Sequence, residues 1–144
     1  MSDQKIKLDI GCGKNKKPGF IGIDIDPSSG ADIIASALDL PFDDSSVDEI
    51  YCSHLVEHFY PEEARKFFNE IYRVLKKGNK AFLKIDRDWS RSRLFKKDLT
   101  HKHRYSEQEI KQMVSKFSKT EVKNRIYFLN FYTLRNKIFV HLEK

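Results

Sequence analysis

A chain of 144 residues, 40% hydrophobic and 33% charged with eleven Phe and six Tyr, has the length and composition of one globular domain. No apolar run approaches the roughly 20 residues of a membrane span, and Met1 to Asp9 alternates charge with Ile and Leu instead of forming a signal-peptide core, so a cytoplasmic protein is expected. Charge is uneven: residues 1–60 carry five Lys against eleven acids, residues 61–144 carry 22 Lys and Arg against ten, and the whole chain is +6.

Alternation marks a first strand in which Ile6, Leu8 and Ile10 point one way and Lys5, Lys7 and Asp9 the other, so that one face reads as wet. A second short strand, Phe20 to Asp24, follows Gly13 too closely for a helix between them and ends in the turn-forming run Asp26-Pro27-Ser28-Ser29-Gly30. Short strands are expected at Asp32–Ala35 and Val47–Cys52, with the loop Pro41–Ser46 between them. From Pro61 the period changes to that of a helix, with Ala64, Phe67, Phe68, Ile71, Tyr72 and Leu75 on one stripe and Gly78 expected as its stop. A strand at Lys80–Ile85 follows, then a charged stretch through Arg104. The capping-box pattern Ser106-Glu107-Gln108-Glu109 opens a second helix carrying Ile110, Met113, Val114 and Phe117. Thr120–Leu129 and Leu134–Leu142 close the chain as an antiparallel pair. The pattern predicts an α/β fold whose sheet is mostly parallel and ends in an antiparallel hairpin.

The chemistry-bearing arrangement is a strand, a glycine turn and a second strand ending in an acid. In Leu8-Asp9-Ile10-Gly11-Cys12-Gly13 the glycines let backbone approach a ligand, and exposed N–H groups there would receive a carboxylate or phosphate. Asp24 at the next strand tip is placed to accept two ribose hydroxyls. Gly-x-Gly alone equally describes an ordinary tight turn. Cys12 and Cys52 read as reduced thiols, since two cysteines make neither a disulfide framework nor a four-ligand zinc site.

Five segments in order, Leu8–Gly13, Gly22-Ile23-Asp24-Ile25-Asp26-Pro27, Leu40-Pro41-Phe42 with Val47-Asp48, Ser53-His54-Leu55-Val56-Glu57-His58, and Glu70-Ile71-Tyr72-Arg73-Val74-Leu75-Lys76, resemble the class I S-adenosylmethionine (SAM) dependent methyltransferases. The resemblance is strongest to small methyltransferases linked to sugar and cell-surface biosynthesis. It implies a reduced Rossmann-like fold in a single domain, 1–144, with a cofactor half at 1–60 and a basic substrate half at 61–144. It also implies that Asp9, Gly11, Cys12 and Gly13 surround the methionine end of SAM, that Asp24 holds the ribose and that Ile25 packs against adenine. Ser36, beside Ala37, stands where the family usually has an Asp near the adenine amino group, with Asp39 as a substitute; Ser53 and His54 would border the pocket. The usual helices between the first three strands have no room, so one sheet face loses its cover, and a homodimer contact, the 87–104 segment or plain solvent is expected there.

Methyl transfer needs a nucleophile aligned with the methyl group and, for a hydroxyl or amine, a proton acceptor. Candidates lie in Ser53–His58 and in Asp98-Leu99-Thr100-His101-Lys102-His103-Arg104-Tyr105-Ser106, which is similar to a family Asp-Pro-Thr-His segment with Leu99 in place of Pro. His101 reads as a general base or as a structural hydrogen-bonder, His58 and Tyr105 as further catalytic candidates, and Tyr105 with Trp89 also as aromatic faces for a sugar, base or ring. No metal is expected: Asp98, His101 and His103 lack a fourth ligand. Between Lys84 and Arg104, eight cations (Lys84, Arg87, Arg91, Arg93, Lys96, Lys97, Lys102, Arg104) face three acids, Asp86, Asp88 and Asp98. That excess suits phosphate or carboxylate, or a solvated basic surface. The expected activity is methyl transfer from SAM to O or N of an anionic small molecule or glycan intermediate. RNA methylation and a non-catalytic SAM-binding subunit are the alternatives. A nicotinamide enzyme is disfavoured because no Gly-x-Gly-x-x-Gly turn opens a helix.

Overall fold

The computed structural model describes residues 4–87, 100–129 and 133–144. In chain order it forms β1 (Lys7–Ile10), β2 (Ile21–Asp24), β3 (Ile33–Ile34), β4 (Val47–Ser53), a 3-10 turn at Val56–His58, α1 (Pro61–Val74), β5 (Leu75–Asp86), α2 (Glu107–Met113), β6 (Lys119–Leu129) and β7 (Thr133–Glu143). The strands make one sheet of order β3-β2-β1-β4-β5-β7-β6. The first five run parallel, with Ile10 beside both Ile23 and Cys52, and β7 lies antiparallel between β5 and β6. The strand order reverses between β1 and β4, and ligands of open parallel sheets bind outside the carboxyl ends of strands at such a reversal.

Both helices contribute to one hydrophobic core. Ala64, Phe67, Phe68, Ile71 and Val74 of α1 and Ile110 of α2, followed by Val114 and Phe117, share it with Leu8, Ile10, Ile23, Ile50, Cys52, Leu83, Ile85 and Val140. The helix expected from Pro61 forms, but Gly78 does not stop it. Val74 is the last helical residue and the chain passes straight into β5. Gly78, at φ +77°, instead serves a bulge: Val47 pairs with Leu75 but Glu49 pairs with Lys80, so residues 76–79 loop out opposite Asp48. The Asp48 carboxylate closes the bulge by accepting from Lys76 Nζ at 2.8 Å, and it also accepts from the Ile6 N–H at 2.8 Å.

Among the described residues no helix lies between β1 and β3, as the spacing requires, yet the second face is not simply wet. Asp9 is buried, contrary to the alternation reading, because the short β1–β2 connection folds over it and donates the Lys17 N–H to its carboxylate at 2.7 Å. Burial raises the Asp9 pKa above the usual carboxylate range, against the pull of the Lys17 N–H and the nearby ammonium groups. A row of rings crosses this face: Phe20 meets Tyr51 edge-on, Tyr51 stacks on Phe82 at 5.8 Å, and Phe82 lies 6.2 Å from Phe139. Cations lie over the rings, with Lys17 4.3 Å from the centre of Tyr51, Lys84 5.7 Å from it, and Arg125 5.4 Å from Phe139. Lys16, bridged to Asp32 at 2.8 Å, holds the same connection against β2. As for the expected cover from 87–104, residues 88–99 lie outside the described residues. No helix among the described residues is long and apolar enough to cross a membrane.

Candidate active site

The glycine turn and the tip of β2 are clasped together at the carboxyl edge of the sheet. Gly11 and Gly13 take φ values of +70° and +52°, a region side chains disfavour. A Cβ on Gly11 would also stand 2.9 Å from Leu55 Cδ2, so a side chain there would have to displace Leu55 of the segment after β4. The N–H groups of Gly11 and Cys12 both donate to the Ile23 carbonyl, at 2.8 and 3.2 Å, and Gly13 N–H donates to Asp24 Oδ2 at 2.8 Å. The turn therefore does not present those three N–H groups to an incoming anion, contrary to the expectation from sequence. Instead it presents bare backbone and a fixed carboxylate. Asp24 Oδ1 accepts the Asp26 N–H at 2.9 Å, so each oxygen holds one backbone hydrogen and keeps acceptor capacity.

Beside that carboxylate, Ile25 is 72% exposed, an unusual position for a large apolar side chain and one that suits a flat ring. Ala35 N–H donates to the Asp24 carbonyl at 3.0 Å, which brings the next turn alongside. Within it Ser36 Oγ accepts the Leu38 N–H and the Ser36 carbonyl accepts the Asp39 N–H. Ser36 and Ala37 are half-buried there, and Asp39 is exposed. Cys12 is buried, and burial together with Asp9 and Asp24 raises its thiol pKa, so it packs rather than reacts.

The segment after β4 carries the second group. His54 sits at φ +58°, its Nδ1 2.9 Å from Ser53 Oγ and its Nε2 2.9 Å from Lys137 Nζ. Although the residue is exposed overall, desolvation of the ring and the Lys137 ammonium lower its pKa, so neutral His54 accepts from Lys137 and donates to Ser53. In the 3-10 turn, Glu57 is only 1% exposed, and burial pushes its carboxyl up to about 7. The backbone N–H groups of Glu57 and Asp86 favour the ionised form, yet neither carboxylate oxygen has a partner within hydrogen-bond geometry.

Residues 100–103 are stitched onto this turn. Lys102 and His103 N–H donate to the Glu57 carbonyl at 2.9 and 3.4 Å, and His58 Nδ1 lies 3.2 Å from the Thr100 carbonyl. The rings of His58 and His101 meet edge-on at 4.9 Å. His101, expected as a general base, thus joins Glu57 and His58, while His103 turns away to Glu109 at 2.8 Å. Tyr105 corrects its expected role: it is fully buried and donates its hydroxyl to the Phe59 carbonyl at 2.7 Å, so it anchors the segment and offers no face for stacking. Burial raises its pKa further above the phenol's ordinary value.

Trp89, Arg91, Arg93, Lys96, Lys97, Asp88, Asp98 and Leu99 lie outside the described residues. Sequence reasoning missed Leu55, whose contact with Gly11 joins the two halves of the site, and Lys137, which reaches His54 from β7. Neither carries a sequence signal, because each acts through a contact between distant strands. A hollow of about 550 Å³ bordered by Lys80, Phe82, Glu121 and His141, and another of about 460 Å³ bordered by Lys5, Phe20 and Asp32, include no residue of the glycine turn. Size alone does not mark the site.

Comparison with known proteins bears on the family and the fold. Residues 8–83, over half of the chain, match the family described as "Methyltransferase domain". No curated protein matches the sequence significantly. Among solved structures, a SAM-dependent methyltransferase from Archaeoglobus fulgidus superposes with a TM-score of 0.78 at 18% identity, over 97% of this chain and 86% of that one. A SAM-dependent methyltransferase from Methanosarcina mazei gives 0.73 at 18%, over 99% and 93%. Phosphoethanolamine N-methyltransferase 2 of Haemonchus contortus, in complex with SAM, gives 0.75 at 17%, with this chain covered completely but spanning 49% of that protein. The chain therefore belongs to the methyltransferase-domain family and is a class I SAM-dependent methyltransferase.

Proposed function

We propose that the Asp24 carboxylate accepts the two ribose hydroxyls of SAM, with Ile25 packing on adenine and Ser36, Ala37 and Asp39 bordering its edge. The turn Asp9–Gly13 follows the methionine end, and Ser53 and His54 bound the pocket from β4. The observation that carries this reading is the clasp of Asp24 onto Gly13 at 2.8 Å beside the exposed Ile25. Bound there, SAM supplies an activated methyl group and a sulfide leaving group. The residues of the chain align the acceptor and take its proton, a task assigned here to His101 or His58 at the edge of the same cleft.

For the acceptor, the charge of the second half favours an oxygen or nitrogen on an anionic small molecule or glycan intermediate. The binding half is tested by calorimetry with SAM and S-adenosylhomocysteine. Hydrogen bonds to a carboxylate contribute about 1.5–3 kcal/mol each, so Asp24→Ala should weaken affinity at least tenfold. Unchanged affinity would overturn the assignment. Transfer of labelled methyl groups across sugar phosphates, nucleotides and RNA then identifies the acceptor, and salt-dependent transfer to RNA alone would replace the small-molecule reading.

A further inference from the structure

Glu57, His58 and His101 converge on one point. Each offers one ligand atom, and these atoms lie within 4.8 Å of one another. The convergence is held by backbone: two N–H groups of the 100–103 segment donate to the Glu57 carbonyl, and His58 Nδ1 is engaged by the Thr100 carbonyl at 3.2 Å and its hydroxyl at 3.0 Å. The Glu57 carboxylate is the anomaly. Its residue is 1% exposed, and neither oxygen has a partner at full hydrogen-bond geometry, the Glu57 and Asp86 N–H groups lying only near it, whereas Asp9, the other buried carboxylate among the described residues, accepts the Lys17 N–H at 2.7 Å. A buried carboxylate left this way is costly unless a proton or a cation completes it, and two imidazoles beside it favour the cation.

The geometry points to a binding site for one divalent transition-metal ion formed by the Glu57 carboxylate and the His58 and His101 imidazoles. Two imidazoles and one carboxylate suit zinc, cobalt, manganese or ferrous iron better than magnesium or calcium, which take oxygen ligands. Ligand atoms around such an ion stand roughly 3–3.5 Å apart, so small side-chain rotations close the set. A Thr100 carbonyl holding the Nδ1 proton of His58 would leave the Nε2 lone pair for the metal, the outer-sphere arrangement usual for ligating histidines.

Three protein ligands leave coordination positions open, which is the mark of a working rather than a structural ion. Val56, which starts the turn, is next to Leu55, and Leu55 packs on Gly11, so the ion would sit at the edge of the proposed cofactor cleft. There an oxygen of the methyl acceptor would complete its coordination and lose its proton more readily on the ion, which would then replace the imidazole base assigned above; that role rests on the function proposed above, whereas metal binding itself does not.

The test is spectroscopic titration of the full chain, without a histidine tag, with Co(II) and then Zn(II). One equivalent of Co(II) should bind with visible d–d bands and be displaced by Zn(II). Glu57→Gln and His101→Ala, each checked for folding by circular dichroism, should weaken Co(II) at least tenfold, and His141→Ala on the opposite sheet face should leave it unchanged. Acetohydroxamate, a bidentate oxygen ligand, should shift the Co(II) bands, and an unchanged spectrum would overturn the open positions. A chain that binds neither metal, or binds it equally after folded His101→Ala, overturns the site even where SAM still raises the melting temperature. Metal binding without any SAM response keeps the site and refutes the cofactor assignment instead.

Discussion

Gly11 and Gly13 look alike in the sequence, yet the structure separates their roles. Both need a left-handed backbone, which costs a residue with a Cβ roughly 1–2 kcal/mol. Only at Gly11 would the added methyl also strike Leu55, at 2.9 Å; at Gly13 nothing lies within 4 Å. Gly13→Ala should therefore lower stability by about 1 kcal/mol and Gly11→Ala by about 2–3 kcal/mol, since backbone strain and displacement of Leu55 add there. Urea unfolding of both variants measures the difference, and equal losses would mean that Leu55 simply moves aside. At this scale the sequence is legible where one residue type has a local reason: the two glycines, Asp24 and Ile25 are adjacent in strand and turn. It places Glu57 in the Ser53–His58 segment without showing its surroundings, because His101 is brought to it only when the 100–103 backbone docks on the 3-10 turn.

Element boundaries rest on side chains that reach back to the main chain. At α2 the Ser106–Glu109 capping box forms as its pattern predicts: Ser106 Oγ accepts the Glu109 N–H, and the Glu109 carboxylate accepts Ser106 N–H at 2.7 Å and Oγ at 2.8 Å. Partial burial works against the ionised carboxylate, but the Ser106 bonds and the His103 ring outweigh it and hold Glu109 at about 2. A pKa depressed in the folded state contributes stability that is present above the unfolded value near 4.5 and is lost as pH falls toward 2. Glu109→Gln should thus cost about 1 kcal/mol at pH 7, discounted for a partly exposed side chain, with the gap to the native chain narrowing below pH 4.5 and closing only as pH falls through about 2. Melting both proteins across that range checks it, and a gap independent of pH would assign the loss to packing.

At the end of α1, Arg73 grips Glu70 through two bonds and the 40–44 loop through the Leu40 and Phe42 carbonyls and Asp44. Arg73→Ala should cost about 2 kcal/mol and speed amide exchange at Leu40, whose N–H donates to Glu70 at 2.9 Å. Slow exchange at Leu40 in that variant would show that the loop holds without the arginine. The Glu70–Lys76 motif was readable as a family segment, but its work as a loop clamp was not, because the partners lie some thirty residues away. Gly78 misled for a related reason: a glycine after an apolar stripe signals a helix stop and a bulge equally, and only the β4–β5 register decides between them.

For the molecule as a whole, the question is how a sheet with helices on one side tolerates its other side. Charged residues alternating along β1 read as solvent exposure, but they are the outer layer of a built surface, in which Phe20, Tyr51, Phe82 and Phe139 form the inner layer and Lys7, Lys17, Lys84 and Arg125 lie over them. Long basic side chains cover rings with their stems while keeping their charges in water. Each aromatic pair adds about 0.5–1.5 kcal/mol and each exposed cation–ring contact about 0.5–1 kcal/mol, enough together to replace part of the helical layer that the described residues lack on this face. Phe82 stands at the centre, touching Tyr51, Phe139 and His141. Phe82→Ala should therefore cost about 3 kcal/mol, Phe82→Leu about half of that because it keeps volume without the ring contacts, and neither should change SAM affinity by more than twofold, since the Asp24 clasp is on the far side of β1. Chemical unfolding and calorimetry on the two variants decide the matter. A silent Phe82→Ala would mean that the ring layer contributes nothing and that the second face is stabilised by other means, and a large loss of SAM affinity in folded Phe82→Leu would mean that the face and the cleft are coupled.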